Sequence, residues 1–91
     1  MTVKEPSICG TLESSDIMIQ LSPGRGEIEI ELESSVDMFY HEVILERIRE
    51  VLEEEGIDSV KVRAVDHGAL DCTIRARTLI AVRRAMKEAE T

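Results

Sequence analysis

The fold is decided by residues 16–33, DIMIQLSPGRGEIEIELE, in which two alternating segments flank a short loop. Every second residue of each segment is apolar, namely Ile17, Ile19 and Leu21 in the first and Ile28, Ile30 and Leu32 in the second. A period of two is typical of a strand with one buried face. The loop at 22–26 contains Pro and Gly, which interrupt strands, so the two strands are predicted to pair as a hairpin.

A helix is predicted to follow this pair over residues 36–55. Its apolar residues recur at spacings of three and four, which places them on one helical face. Ser34 and Asp37 at its start resemble a capping box with Asp in place of Glu. Gly56 is suited to end the helix, because glycine tolerates the left-handed conformation just past a helix terminus.

The remaining segments predict two more strands and a second helix. Residues 59–65 alternate again, Asp66, His67 and Gly68 form a turn signal, and residues 70–74 present Leu70, Cys72 and Ile74 as the buried face of a fourth strand. A mostly apolar helical stripe then extends from Arg75 to about Glu88. Residues 1–10 show no sustained period and are predicted to be a flexible or irregular arm.

The element order ββαββα predicts an α+β fold, a four-stranded, mainly antiparallel sheet with both helices on one face. A right-handed crossover between the second and third strands would make it a permuted ferredoxin-like topology. The length of 91 residues predicts one domain over 1–91.

Charge and composition restrict the partners. The chain holds 11 Lys and Arg against 19 Asp and Glu, a net charge of −8, which argues against nucleic acid or an anionic membrane as the main partner. The absence of a long apolar run predicts no membrane span, and no secretory leader opens the sequence, so we expect a cytoplasmic protein. Two cysteines, Cys9 and Cys72, are expected to be reduced thiols.

Catalytic and metal-binding patterns are absent from the sequence. His41 and Glu42 do not continue into an H-E-x-x-H zinc motif, since position 45 is Leu, and no nucleophile elbow G-x-S-x-G occurs. Residues 24–26 lack the Lys of a phosphate-binding loop. We therefore predict no catalytic residue and no metal ligand.

Ser14 is the candidate functional residue. If the alternation of the first strand extends backward from Ile17, Ser14 and Asp16 lie on the side away from the core, so the Ser14 hydroxyl is expected to be exposed. By residue pattern alone this is a polar entry to a strand.

Two separated motifs resemble the acyl carrier protein, or gamma subunit, of citrate lyase. They are residues 5–19, EPSICGTLESSDIMI, and residues 66–77, DHGALDCTIRAR. The first matches at Pro6, 10–14 and Asp16, and the second at 68–72 and 74–77. The sequence departs from the family at Ser7 and Cys9, where alanine is usual.

The resemblance implies a non-catalytic carrier subunit with a covalent cofactor. In that family the serine equivalent to Ser14 is joined by a phosphodiester to 2'-(5''-phosphoribosyl)-3'-dephospho-CoA. The thiol of this prosthetic group carries acetyl and then citryl thioesters while citrate is cleaved to acetate and oxaloacetate. The implied partners are the alpha subunit, an acyl transferase, the beta subunit, a citryl lyase, and a prosthetic-group transferase that modifies the serine.

Two alternatives remain open from the sequence. One is the carrier subunit of malonate decarboxylase, which bears the same kind of arm. The other is a small non-enzymatic α+β binding module that uses its sheet, although four glutamates between 27 and 33 make that face acidic. The arginine cluster Arg75, Arg77, Arg83 and Arg84 could dock an acidic partner or the phosphates of the arm, or form structural ion pairs with the glutamate-rich face of the sheet. Asp71 is expected to be a hydrogen bonder at a turn or strand exit.

Overall fold

A computed structural model describes residues 2–34 and 38–86. Within these residues, six elements follow one another: β1 (Ser7–Cys9), β2 (Ile17–Ser22), β3 (Ile28–Ser34), α1 (Met38–Glu54), β4 (Val60–Asp66) and α2 (Asp71–Met86). Four strands and two helices make an α+β fold, as predicted. The order is βββαβα, which corrects the predicted ββαββα.

The four strands form one mixed sheet in the order β1-β2-β4-β3. β2 runs antiparallel to both β1 and β4, whereas β3 and β4 are parallel neighbours. The hairpin predicted around the loop at 22–26 would pair β2 with β3; it is wrong, because β4 lies between these two strands. The permuted ferredoxin-like order is also wrong: helix α1 joins adjacent parallel strands, whereas a split βαβ unit keeps a strand between them.

The sequence pattern predicts the wrong secondary structure for two segments. Residues 7–9, within the predicted irregular arm, form the edge strand β1, and Val3 is completely buried. Residues 71–74 begin helix α2 instead of forming a strand, and Leu70 just before it is 68% exposed. The alternation at 70–74 was misleading because Leu70 and Ile74 are also four apart, a spacing that fits a helix equally well.

The core lies between the sheet and the two helices. One face of β2 and β4 supplies fully or almost fully buried residues to it: Ile17, Ile19, Leu21, Val60, Val62 and Ala64. Helix α1 adds Ile44, Ile48 and Leu52, and α2 adds Ile74, Ala81, Val82 and Ala85. Both helices thus cover the same face of the sheet, as predicted, and the opposite face carries the glutamates of β3 and the basic residues of β4.

Helix α1 ends as its sequence predicts. Gly56 has a φ of 76°, its amide donates to Glu53, and the next amide, of Ile57, donates to Leu52. This pair of bonds is a Schellman motif, which glycine favours. Residues 36–37 of the predicted first helix, which include Asp37 of the capping box, and residues 87–88 of the predicted second helix lie outside the described residues.

Candidate functional site

Ser14 lies at the tip of the loop between β1 and β2. The Asp16 amide donates to the Glu13 carbonyl at 3.3 Å, which closes a four-residue turn with Ser14 second and Ser15 third. Ser15 has a φ of 64°, as the third residue of a type II turn requires. Residues 11–15 are all exposed, so the Ser14 hydroxyl is open to solvent, as expected.

Gly10 allows this loop to begin. It has a φ of 99°, and a Cβ atom built on it would lie 1.8 Å from the carbonyl oxygen of Ile17. The backbones that leave β1 and enter β2 therefore approach more closely than any side chain permits. The glycine of the first motif has a steric function in the loop.

Asp16 holds the two ends of the loop together. Its carboxylate accepts hydrogen bonds from the Thr11 amide at 3.1 Å, the Thr11 hydroxyl at 2.6 Å and the Ile17 amide at 2.8 Å. The Thr11 hydroxyl in turn accepts a bond from the Glu13 amide at 3.2 Å. Asp16 is only 9% exposed, so its predicted place on the solvent side of the strand is wrong. The alternation stops at Ile17, because the chain before it is a turn.

Arg77 of α2 joins this carboxylate from the second motif. Its Nε and Nη2 each lie 3.0 Å from a different oxygen of Asp16, in the bidentate geometry that the guanidinium group favours. The Thr11 hydroxyl, followed by Arg77, holds the pKa of Asp16 well below its ordinary range. The hydrogen bond to Asp16 also raises the pKa of Arg77. The two motifs thus meet in one ion pair, between residues that are 61 positions apart in the sequence.

The turn after β4 supports the Ser14 turn from the other side. The Ser15 amide donates to the His67 carbonyl at 2.8 Å, and the His67 amide donates to the Asp16 carbonyl at 3.0 Å. Asp66 is 1% exposed and accepts bonds from the amides of Gly68 and Ala69. The predicted turn at 66–68 is therefore confirmed, and it is stabilised by a buried carboxylate.

The arginine cluster is engaged within the chain. Arg75 reaches Glu50 and Glu54 of α1 at 3.0 and 3.3 Å, and Arg83 lies 3.7 Å from Glu55. Arg77 binds Asp16, and Arg84 donates to the carbonyl of Ile8. Ion pairs within the chain are thus observed for Arg75, Arg77 and Arg83, but their partners lie on or just after α1 and at Asp16, so the predicted pairing with the glutamate-rich sheet face is wrong. Asp71 is the first residue of α2 and accepts a bond from Arg47 of α1 at 2.6 Å.

The sequence singled out Ser14 but missed what holds it. Thr11, Asp16 and Arg77 all belong to the two motifs, yet linear spacing carries no sign that residues 16 and 77 meet. In residues 2–34 and 38–86, no three His, Cys, Asp or Glu side chains are grouped to hold a metal ion. Cys9 is buried and Cys72 exposed, and both are free thiols. Neither described helix is long and apolar enough to cross a bilayer.

The chain is similar in sequence to known acyl carrier proteins. The acyl carrier protein family described as Malonate decarboxylase delta subunit (MdcD) matches residues 4–85. Citrate lyase acyl carrier protein of Lactobacillus acidophilus is 49% identical over 85 residues, covering 93% of this chain and 88% of that protein. The protein of the same name from Lacticaseibacillus casei is 51% identical over 85 residues, covering 93% and 84%.

A solved structure shares the fold. A chain from the Pseudomonas malonate decarboxylase hetero-tetramer in complex with malonate superposes with a TM-score of 0.78 at 20% identity. The match covers 93% of this chain and 88% of that one. The arrangement of four strands and two helices is therefore one that a known multisubunit assembly contains.

Proposed function

The chain belongs to the family of citrate lyase acyl carrier proteins and malonate decarboxylase delta subunits, and we propose that it carries acyl groups on a prosthetic group joined to Ser14. The observation that supports this most is the placement of Ser14. Its hydroxyl is exposed on a hydrogen-bonded turn whose residues contribute nothing to the buried core. A modifying enzyme can therefore reach the oxygen without unfolding any part of the domain.

The surroundings of Ser14 fit a phosphodiester. The new O–P bond would replace the O–H bond of Ser14 and place a negative charge at the tip of the turn. Asp16, two residues away, is buried and paired with Arg77, so its charge is offset. When bound, 2'-(5''-phosphoribosyl)-3'-dephospho-CoA supplies a terminal thiol that carries acyl groups as thioesters on a long arm.

The chain itself acts as a scaffold for this arm. The turn presents Ser14 from one end of a sheet whose core is closed by two helices, so the attachment point is fixed while the arm is free. Tethering replaces a bimolecular encounter with an intramolecular one and raises the effective concentration of the acyl group at a partner's active site. The proposed partners are the alpha acyl transferase, the beta citryl lyase and the prosthetic-group transferase, in the cytoplasm.

Citrate lyase is the complex we propose, and malonate decarboxylase is the second candidate. The citrate lyase carriers are 49–51% identical to this chain, whereas the malonate decarboxylase chain of known structure is 20% identical. The family description and the shared fold support malonate decarboxylase as the second candidate. The two differ in the acyl group that the arm receives.

Reconstitution tests the proposal. The chain is co-expressed with the enzymes that make and attach the prosthetic group, mixed with alpha and beta subunits of citrate lyase, and assayed for oxaloacetate formed from citrate. We expect activity with the parent chain and none with Ser14→Ala. Ser15→Gly is the matched control, because glycine accepts the positive φ of that position.

Stability separates loss of function from loss of fold. Ser14→Ala removes an exposed hydroxyl and should change the free energy of unfolding by less than about 0.5 kcal/mol. Activity that survives in Ser14→Ala would contradict the attachment site. Loading with malonyl but not with citrate-derived groups would replace citrate lyase by malonate decarboxylase.

A further inference from the structure

We propose that Asp16 and Arg77 are the positioning residues of this site: their bidentate ion pair holds the Ser14 turn in the conformation that the prosthetic-group transferase recognises. This inference rests on the proposed function, since it takes Ser14 as the modified residue. The ion pair touches neither the hydroxyl nor any reacting atom. It acts through the backbone of the loop.

The turn has no apolar support of its own. Residues 11–15 are exposed, and Leu12, the one large apolar side chain among them, is 59% exposed. A loop without buried side chains keeps its conformation only through hydrogen bonds, because burial supplies nothing to offset its conformational entropy. Ser15 adds a cost of its own, since a non-glycine residue with positive φ is strained by about 1–2 kcal/mol.

Asp16 supplies most of the bonds that oppose this cost. It accepts five hydrogen bonds: two from Thr11, one from the Ile17 amide and two from Arg77. Those from Thr11 and Ile17 close the loop upon itself. Those from Arg77 connect it to α2, in addition to the two backbone bonds that join Ser15 and Asp16 to His67.

Arg77 fixes the position of the turn relative to helix α2, which is held rigidly by its packing in the core. The neighbouring Thr78 is completely buried in α2 and its hydroxyl donates to the Ile74 carbonyl, while Ala81 and Val82 pack in the core. The guanidinium plane extends from this fixed helix, and a two-point contact restricts both distance and orientation. Ser14 therefore keeps one position relative to the exposed side of α2.

This arrangement predicts a kinetic role. A transferase that binds the turn and the adjacent surface of α2 finds the loop already in its bound conformation, so binding loses no entropy in ordering the loop. Without the ion pair the loop becomes ordered only when the transferase binds, and the entropy lost on ordering weakens the binding. The Michaelis constant for the carrier should then rise, while the maximal rate stays the same once the turn is bound.

The test is the steady-state rate of attachment to Ser14, followed by intact mass, in Arg77→Gln and Arg75→Gln. Arg75 is the matched control, because it lies on the same helix but pairs with Glu50 and Glu54 of α1. We expect Arg77→Gln to raise the Michaelis constant about tenfold with kcat within twofold of the parent. Arg75→Gln should leave both constants unchanged.

Hydrogen exchange gives a second measurement on the unmodified full-length chain. The amides of Ser15 and Asp16 should exchange about tenfold faster in Arg77→Gln, with core amides such as Ile19 unaffected. If Arg77→Gln does not fold, Arg77→Lys takes its place, since it keeps the charge but loses the planar two-point contact. It should change both measurements in the same direction and by less.

Three results would overturn the inference. One is faster exchange at Ser15 and Asp16 with unchanged attachment kinetics. Another is a fall in kcat without a rise in the Michaelis constant, which would place Arg77 in the transferase's chemistry. The third is an equal effect of Arg75→Gln. If the parent chain acquires its adduct at another residue, the proposed function fails first, and Ser14→Ala in the same series identifies that outcome.

Discussion

Gly10 shows how one residue determines the shape of the site. Its missing side chain lets the start of the loop lie against the Ile17 carbonyl, and its φ of 99° suits no other residue well. Gly26 has nearly the same φ, 96°, but a Cβ atom there would meet nothing within 4 Å. Both glycines therefore need a positive φ, but only at Gly10 is there no room for a side chain.

Alanine substitution at each glycine separates these requirements. Gly26→Ala should lower the free energy of unfolding by about 1–2 kcal/mol, the cost of a left-handed alanine. Gly10→Ala should cost roughly 1–3 kcal/mol more, because the loop and β2 must move apart. Urea unfolding of both variants checks this. Equal losses in the free energy of unfolding would show that the close approach at Gly10 adds no cost to the alanine substitution.

Asp16 makes the stability of the domain depend on acid. Its bonds to Thr11 and Arg77 depress its pKa in the folded chain, while in the unfolded chain it returns to its ordinary value of 3.8. The unfolded state therefore binds the proton first as the pH falls. The contribution of Asp16 is complete above about pH 4 and is lost progressively at lower pH.

Asp16→Asn tests this dependence. The variant should be less stable than the parent by roughly 1–3 kcal/mol at pH 7, because a carboxylate that accepts five hydrogen bonds is replaced. The difference between the two proteins should shrink at pH 3 and below. Urea unfolding at several pH values measures it, and a difference independent of pH would contradict the depressed pKa.

At the scale of elements, alternation predicted the strands well and their pairing badly. The pattern at 17–21, 28–32 and 59–65 gave three strands with their buried faces correct, because a period of two reports directly on burial. It does not report on neighbours. Pro and Gly at 22–26 suggested a hairpin, but the loop instead carries the chain to the far side of β4.

A charge pattern could have indicated the true neighbour of β3. Glu29 and Glu31 lie opposite Lys61 and Arg63 in the parallel register, and Arg63 pairs with Glu31 at 3.4 Å. Opposite charges across neighbouring strands stabilise a sheet. The predicted hairpin would have placed these glutamates beside Met18 and Gln20, with no basic partner. β1 offered no comparable signal, since three residues are too few to establish a period.

Substitutions at Leu70 and Ile74 test whether residues 70–74 form the predicted strand or lead into helix α2. As the start of α2, Leu70 is exposed and Ile74 is 3% exposed, whereas a strand would bury both. Leu70→Ala should change the free energy of unfolding by less than about 0.5 kcal/mol, and Ile74→Ala should cost about 2–5 kcal/mol. Comparable large losses at both positions, measured by thermal or urea unfolding, would restore the strand.

At the scale of the whole molecule, the site is built where distant parts of the sequence converge. The loop before β2, the turn after β4 and the middle of α2 meet around Asp16, and Ser14 extends beyond them. The two sequence motifs resemble a carrier family, and this resemblance makes Ser14 the candidate attachment residue. The contact between the motifs depends on the sheet order and the helix packing, so it could not be predicted before the fold was known.

The mass of the intact chain shows whether Ser14 carries the prosthetic group. The full-length protein is purified after co-expression with the enzymes that make and attach the prosthetic group, and its mass is compared with that of the unmodified chain. We expect one added phosphoribosyl-dephospho-CoA group, located on Ser14 by peptide fragmentation and absent from Ser14→Ala. An unmodified chain, or the same adduct on another residue, would contradict it.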